Sequence, residues 1–257
     1  MSTGPQKRKP LSMRQLLPNL ITLFVISAGL TAIRLGFEGK FGLALLLVLL
    51  AAVLDAADGR IARALDSISD LGAELDSLAD FLNFGIAPGL LVYFAVFAGT
   101  ENTSLGWLAV LALSVCCALR LARFNIAMDI PEEKTWKSSF FVGVPAPALG
   151  ALALLPMFFQ MLGHDTVSQY PVVIFCYLVC IALMAVSRIP TFSIKYLQIP
   201  QDKILYVMIF GAGFAVSMVV YTWQTIIVGD ILYLLSIPVS AWIFTRQERN
   251  ETSSTID

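Results

Sequence analysis

From residue 19 onward the chain repeats one pattern: a long apolar run, a few polar residues, then another apolar run. Eight such runs can be marked, at 19–36, 41–64, 71–98, 104–127, 144–162, 170–188, 203–222 and 225–245. A helix needs roughly 20 apolar residues to cross the hydrocarbon core of a bilayer, and these runs have about that length. None alternates apolar and polar positions as a barrel strand does. A lipid-exposed backbone must satisfy its own hydrogen bonds, so the pattern predicts helices. The expectation is an all-α, polytopic integral membrane bundle of about eight transmembrane helices. An N-terminal segment 1–18 would precede a single membrane domain 19–245 and a polar, unstructured tail 246–257.

Composition supports this class. With 58% hydrophobic and 14% charged residues and a mean hydropathy of +0.79, a soluble fold would lack the polar surface it needs. A net charge of −1 gives no reason to expect nucleic acid. The basic residues set the orientation. With both termini cytoplasmic, 15 of the 17 Lys and Arg residues lie inside, and only Arg34 and Lys40 lie outside. The N-terminus has no small-residue cleavage site after its first apolar run, so that run reads as a permanent span. The stretch PLSMRQLLP (10–18) suits a short interfacial helix drawn to anionic headgroups, or serves only as a topology signal.

One stretch breaks the apolar pattern with acid. Residues 55–80, DAADGRIARALDSISDLGAELDSLAD, hold seven of the chain's 18 acidic residues in 26 positions. Asp55 and Asp58 are three apart on the second run, and Asp76 and Asp80 four apart on the third, so each pair shares a helix face. A short turn between the runs makes the helices antiparallel neighbours and can bring the four carboxylates together. Asp66, Asp70 and Glu74 read as a solvated turn. Four converging carboxylates at a membrane boundary need compensating cations or protons. All-oxygen ligands suit Mg²⁺ or Mn²⁺, the absence of His and Cys argues against zinc, and four carboxylates suffice for two ions. Gly59 and Gly72 leave room for close approach, and Arg63 is placed to meet an anion, so the cluster suits a pyrophosphate.

The pattern Asp55-x2-Asp58-Gly59-x2-Ala62-Arg63-x8-Gly72-x3-Asp76-x3-Asp80 resembles the signature of the CDP-alcohol phosphotransferases at all eight positions. The resemblance implies a helical membrane enzyme that moves a substituted phosphoryl group from a CDP-linked donor to an alcohol and releases CMP. It implies one metal held by Asp55, Asp58 and Asp76, a second held by Asp55, Asp76 and Asp80, and Asp80 as the base. It further implies a cytidine and diphosphate pocket lined by Asp58, Gly59, Arg63 and Gly72, with Asn19 and Thr22 touching the nucleotide. Helix-start polarity explains Asn19 and Thr22 nearly as well. The segments PNLIT (18–22), NFGIAP (83–88), RLARFN (120–125) and FVGVPAPA (141–148) are similar to the bacterial phosphatidylserine synthases of that family. That similarity covers about residues 15–150. It implies CDP-diacylglycerol and L-serine as substrates, a homodimer, and a multi-pass protein of the cytoplasmic membrane with its site on the cytoplasmic side. Glycerol 3-phosphate or an inositol phosphate is the alternative acceptor. Asn83 departs from the pattern, which carries Ser there.

Arg120, Arg123 and Asn125 end the fourth run at the level of the acidic site. Arg is the side chain best shaped to grip a carboxylate, so the arginines, together with Asn125, are expected to bind the acceptor's carboxylate or a lipid phosphate; positive-inside anchoring is the rival reading for the arginines. FVGVPAPA either walls the acceptor pocket or simply breaks a helix, and Pro88 and Pro238 bend their spans. Cys116, Cys117, Cys176 and Cys180 lie in apolar runs and read as packing residues, and the lone His164 is no metal site. A cation transporter is the rival class. It would place carboxylates at mid-membrane in two related halves, whereas these sit at one face and in one half.

Overall fold

The computed structural model describes residues 13–64, 69–128, 140–164, 169–192 and 203–254. Each of the eight apolar runs forms helix. α1 (Met13–Phe37), α2 (Phe41–Ala64), α5 (Thr103–Met128) and α9 (Thr222–Ser254) are long single helices. The third run is composite: α3 (Asp70–Asp80), a π-helical segment Phe81–Ile86, α4 (Ala87–Val92) and a second π-helical segment Tyr93–Phe97. α6 (Ala146–Met161), α7 (Pro171–Val186) and α8 (Ile204–Val220) complete the set. Among the described residues, five stretches are long and apolar enough to cross a membrane, namely Pro18–Phe37, Phe41–Ile61, Leu71–Phe97, Thr103–Ala127 and Thr222–Arg249. α6, α7 and α8 have 16, 16 and 17 residues, about 24–26 Å of helix at 1.5 Å per residue. The chain is therefore an all-α membrane protein.

α6 is the central pillar. Ala146, Leu149, Leu152, Ala153, Leu154, Met157 and Phe158 along it are buried, and they pack with Leu91, Phe97, Leu113, Leu178 and Ile181 in one core. Around this core the outer faces of α1, α2, α5 and α9 present large exposed side chains such as Phe24, Leu30, Val53, Leu119 and Leu232. That is the surface lipid requires.

Three features depart from the expectations. The segment 13–18 is the start of α1 rather than a separate interfacial helix, with Pro18 inside the helix. At the other end, α9 continues to Ser254, past the boundary at 245 expected for an unstructured tail, and its polar end stacks Arg246 on Trp242 at 5.5 Å. Third, two three-residue strands, β1 (Phe140–Val142) and β2 (Pro190–Phe192), pair antiparallel, Phe140 opposite Phe192 and Val142 opposite Pro190. FVGVPAPA thus enters α6 through a strand and a Gly143 with φ 80°, whose amide donates to Ile189 O at 2.9 Å.

The π segment after Asp80 has a local cause. Pro88 has no N–H to give to residue 84, and the ladder widens, so that the Ala87 amide bonds to Leu82 O, five residues back. Pro88 therefore acts through the hydrogen-bond register of its span, burying Asn83, Phe84 and Gly85.

Between α1 and α2 the Glu38 carboxylate accepts from Arg34 Nε at 2.9 Å and Lys40 Nζ at 2.8 Å. Those partners, Lys40 first, hold Glu38 below the usual carboxylate range.

Candidate active site

α2 and α3 bring Asp55, Asp58 and Asp76 together, with one carboxylate oxygen of each within 4.8 Å of the others. Their environments differ. Asp58 is buried at 3% exposure, Asp55 is half-buried and Asp76 is exposed, so the cluster opens toward Asp76. Asp80, one turn beyond Asp76, interacts directly with the Asp55 carboxyl. Asp55 Oδ1 and Asp58 Oδ1 are buried without a hydrogen-bond partner among the described residues. Buried charged oxygens are costly unless something binds them. Oxygen ligands around one hard divalent cation, at 2.0–2.6 Å from it, are at most about 4–5 Å apart. The three carboxylates fit that requirement; Asp80 lies next to Asp55 but outside this group of three.

α1 fixes these two helices from the side. Asn19, Thr22, the Val25 carbonyl and Gly29 succeed one another at helical spacing along one face. Asn19 is buried, and its Oδ1 lies 2.9 Å from where a Cβ on Gly72 would stand, so a glycine there lets α3 approach. The same Gly72 amide donates to Ser69 Oγ at 3.1 Å, which caps α3. Thr22 Oγ1 lies 2.9 Å from Asp58 Oδ2 and 3.1 Å from Pro18 O. Asn83 Nδ2 donates to Val25 O at 3.3 Å and Ala79 O at 3.0 Å, while its Oδ1 packs on Gly29. Asn83 is fully buried in this helix contact, one turn past Asp80. Gly59 differs from Gly72: among the described residues, no neighbouring side chain or facing backbone lies within 4 Å of its Cβ position. Arg63 falls in the last turn of α2, and its side chain lies outside the described residues, as do Asp66 and the side chain of Asp70. Glu74 is exposed, but it sits inside α3, which begins at Asp70, and not in a turn between the helices.

The end of α5 separates its three polar residues. Arg120 is buried at 9% exposure, lies over the Phe124 ring at 5.7 Å and is an electrostatic neighbour of Asp80 and Tyr233. No described residue hydrogen-bonds its guanidinium. Arg123 is engaged instead with backbone: Nη1 donates to Val186 O at 2.8 Å, and Nη2 to Val142 O at 3.2 Å and Ser187 O at 3.4 Å. It fastens β1 to the end of α7. Asn125 Nδ2 donates to Ser77 Oγ at 3.0 Å, tying α5 to the helix that carries Asp76.

Residues after 150 also reach this region, and their motifs did not mark them. Tyr233 of α9 has a buried hydroxyl beside Arg120, and Thr191 of β2, itself buried, donates to Gly143 O at 2.9 Å. Asp230, one turn from Tyr233, is buried, and its Oδ2 has no hydrogen-bond partner among the described residues. Its signal in the sequence was an acid within the apolar run IIVGDILYLL.

Comparison with known proteins adds a lineage to this geometry. A family model described as CDP-alcohol phosphatidyltransferase matches residues 15–186. The CDP-diacylglycerol–serine O-phosphatidyltransferase of Mycobacterium leprae is 36% identical over 240 residues, covering 93% of this chain and 78% of the relative. That of Mycobacterium tuberculosis is 35% identical over 239 residues, 91% of this chain and 80% of its own. That of Helicobacter pylori is 33% identical over 202 residues, covering 78% and 82%. The similarity extends beyond residue 150, where the motifs end.

Proposed function

The chain belongs to the CDP-alcohol phosphatidyltransferase family, and from that premise we propose that it transfers the phosphatidyl group of CDP-diacylglycerol to L-serine, giving phosphatidylserine and CMP. The observation that carries the reading is the convergence of Asp55, Asp58 and Asp76 within 4.8 Å, with buried oxygens that no described residue satisfies. Asp55, Asp58, Asp76 and Asp80 would hold two divalent ions, Mg²⁺ or Mn²⁺, which when bound neutralise the donor's diphosphate and the charge on departing CMP. The donor's cytidine and diphosphate lie along Asn19, Asp58, Gly59, Arg63 and Gly72, with Thr22 behind Asp58. The open space at Gly59 supports this placement.

A serine hydroxyl is a poor nucleophile until its proton is removed. Asp80 accepts that proton, the serine Oγ–P bond forms, and the P–O bond to CMP breaks. Arg120 holds the serine carboxylate. It is buried, is an electrostatic neighbour of Asp80 and has no hydrogen bond to a described residue, whereas Arg123 is engaged by three carbonyls. Asn125 steadies α3 from the same side. The names of the relatives favour serine as acceptor.

The same reading places eight spans across the cell membrane, both termini and the acidic site on the cytoplasmic side, and the protein as a homodimer. Apolar flanks on α2 and on the third span let a lipid donor present its diphosphate without leaving the bilayer. Purified protein with Mn²⁺ and CDP-diacylglycerol, offered serine, glycerol 3-phosphate or inositol phosphate, should release CMP with serine. CMP release with another acceptor and none with serine would overturn the choice of substrate.

A further inference from the structure

We infer that Thr22 is a positioning residue: its hydroxyl orients Asp58 and thereby sets the affinity of the acidic site for a divalent cation, rather than contacting the nucleotide. The inference rests on the reading of Asp58 as a metal ligand. Thr22 and Asp58 are both buried, at 4% and 3% exposure, and Thr22 Oγ1 lies 2.9 Å from Asp58 Oδ2. A hydroxyl between an ionised carboxylate and the Pro18 carbonyl directs its one proton to the stronger acceptor, the carboxylate. That bond occupies Oδ2 and leaves Oδ1 without a partner among the described residues, beside Asp55 and Asp76.

The hydroxyl itself is held in place. A β-branched side chain in a helix has few χ1 choices. One turn earlier Asn19 abuts Gly72, and one turn later the Val25 carbonyl accepts from Asn83. α1 therefore cannot rotate Thr22 away from Asp58 without breaking both contacts. Hydrogen bonds behind a ligating carboxylate fix its orientation, and their loss costs metal affinity about 10–100-fold.

The test uses the full chain in detergent with Mn²⁺ alone, free ion being read by its paramagnetic resonance signal, and compares wild type with Thr22→Val, Thr22→Ser and Asp58→Asn. Thr22→Val, which keeps the shape and removes the hydroxyl, should weaken Mn²⁺ binding about 10–100-fold. Thr22→Ser should bind as wild type does, and Asp58→Asn should be weaker still. At saturating Mn²⁺ the KM of Thr22→Val for CDP-diacylglycerol should match wild type. Unchanged Mn²⁺ affinity in Thr22→Val overturns the inference, and so does equal weakening in Thr22→Val and Thr22→Ser. A raised KM for CDP-diacylglycerol with Mn²⁺ affinity intact would assign Thr22 to the nucleotide instead. If wild type binds no Mn²⁺, the metal reading of the acidic site itself fails.

Discussion

Arg123 directs its guanidinium at the carbonyls of Val142, Val186 and Ser187, while Arg120, one turn earlier, is an electrostatic neighbour of Asp80 with no hydrogen bond to a described residue. The two should separate cleanly on substitution. Arg120→Ala should raise KM for serine about 10- to 100-fold, the worth of a charged hydrogen-bonding pair, with thermal stability and KM for CDP-diacylglycerol little changed. Arg123→Ala should instead lower stability by about 1–3 kcal/mol, because carbonyls lose their donors; thermal unfolding in detergent distinguishes the two. Asp80→Asn should lower kcat about 10²–10⁴-fold, the usual contribution of a general base, and an Asn variant turning over at the normal rate would remove Asp80 from that role. The spacing of the four aspartates was legible in the sequence because helical periodicity decides which carboxylates share a face. The division between the arginines was not. A basic residue at the end of a span reads the same whether a substrate or a distant carbonyl receives it, and the partners of Arg123 lie 19 to 64 residues away.

The helices that carry the site were readable as apolar runs, but their internal geometry was not. The π segment behind Asp80 depends on how Pro88 shifts the hydrogen-bond register, and β1 and β2 are three residues each, too short to show alternation. The two signature glycines also looked alike in sequence, and the structure separates them. Gly72→Ala puts a methyl 2.9 Å from Asn19 Oδ1 and 3.1 Å from Ser69 Oγ, so it should push α3 off α1 and cost about 1–3 kcal/mol together with activity. Gly59→Ala meets no neighbouring side chain or facing backbone of the described residues within 4 Å. It should leave stability within about 0.5 kcal/mol or improve it, while raising KM for CDP-diacylglycerol. An unchanged KM in Gly59→Ala would show that the donor does not occupy that space.

At the scale of the whole molecule the account depends on orientation. Fifteen of 17 basic residues fall on one side of the proposed topology, and the two exceptions, Arg34 and Lys40, are both ion-paired with Glu38. In a background without the four native cysteines, Gly39→Cys should react with an impermeant maleimide in intact cells, and Ser253→Cys only after permeabilisation; the reverse would invert the site's placement. The central claim, a metal-dependent transfer from CDP-diacylglycerol to serine, is tested most directly by incorporation of radiolabelled serine into lipid by the purified protein. The account predicts organic-soluble label that requires CDP-diacylglycerol, disappears when EDTA strips the metal and returns with Mn²⁺ or Mg²⁺. Absence of lipid label with metal and donor present, or label indifferent to EDTA, would contradict it.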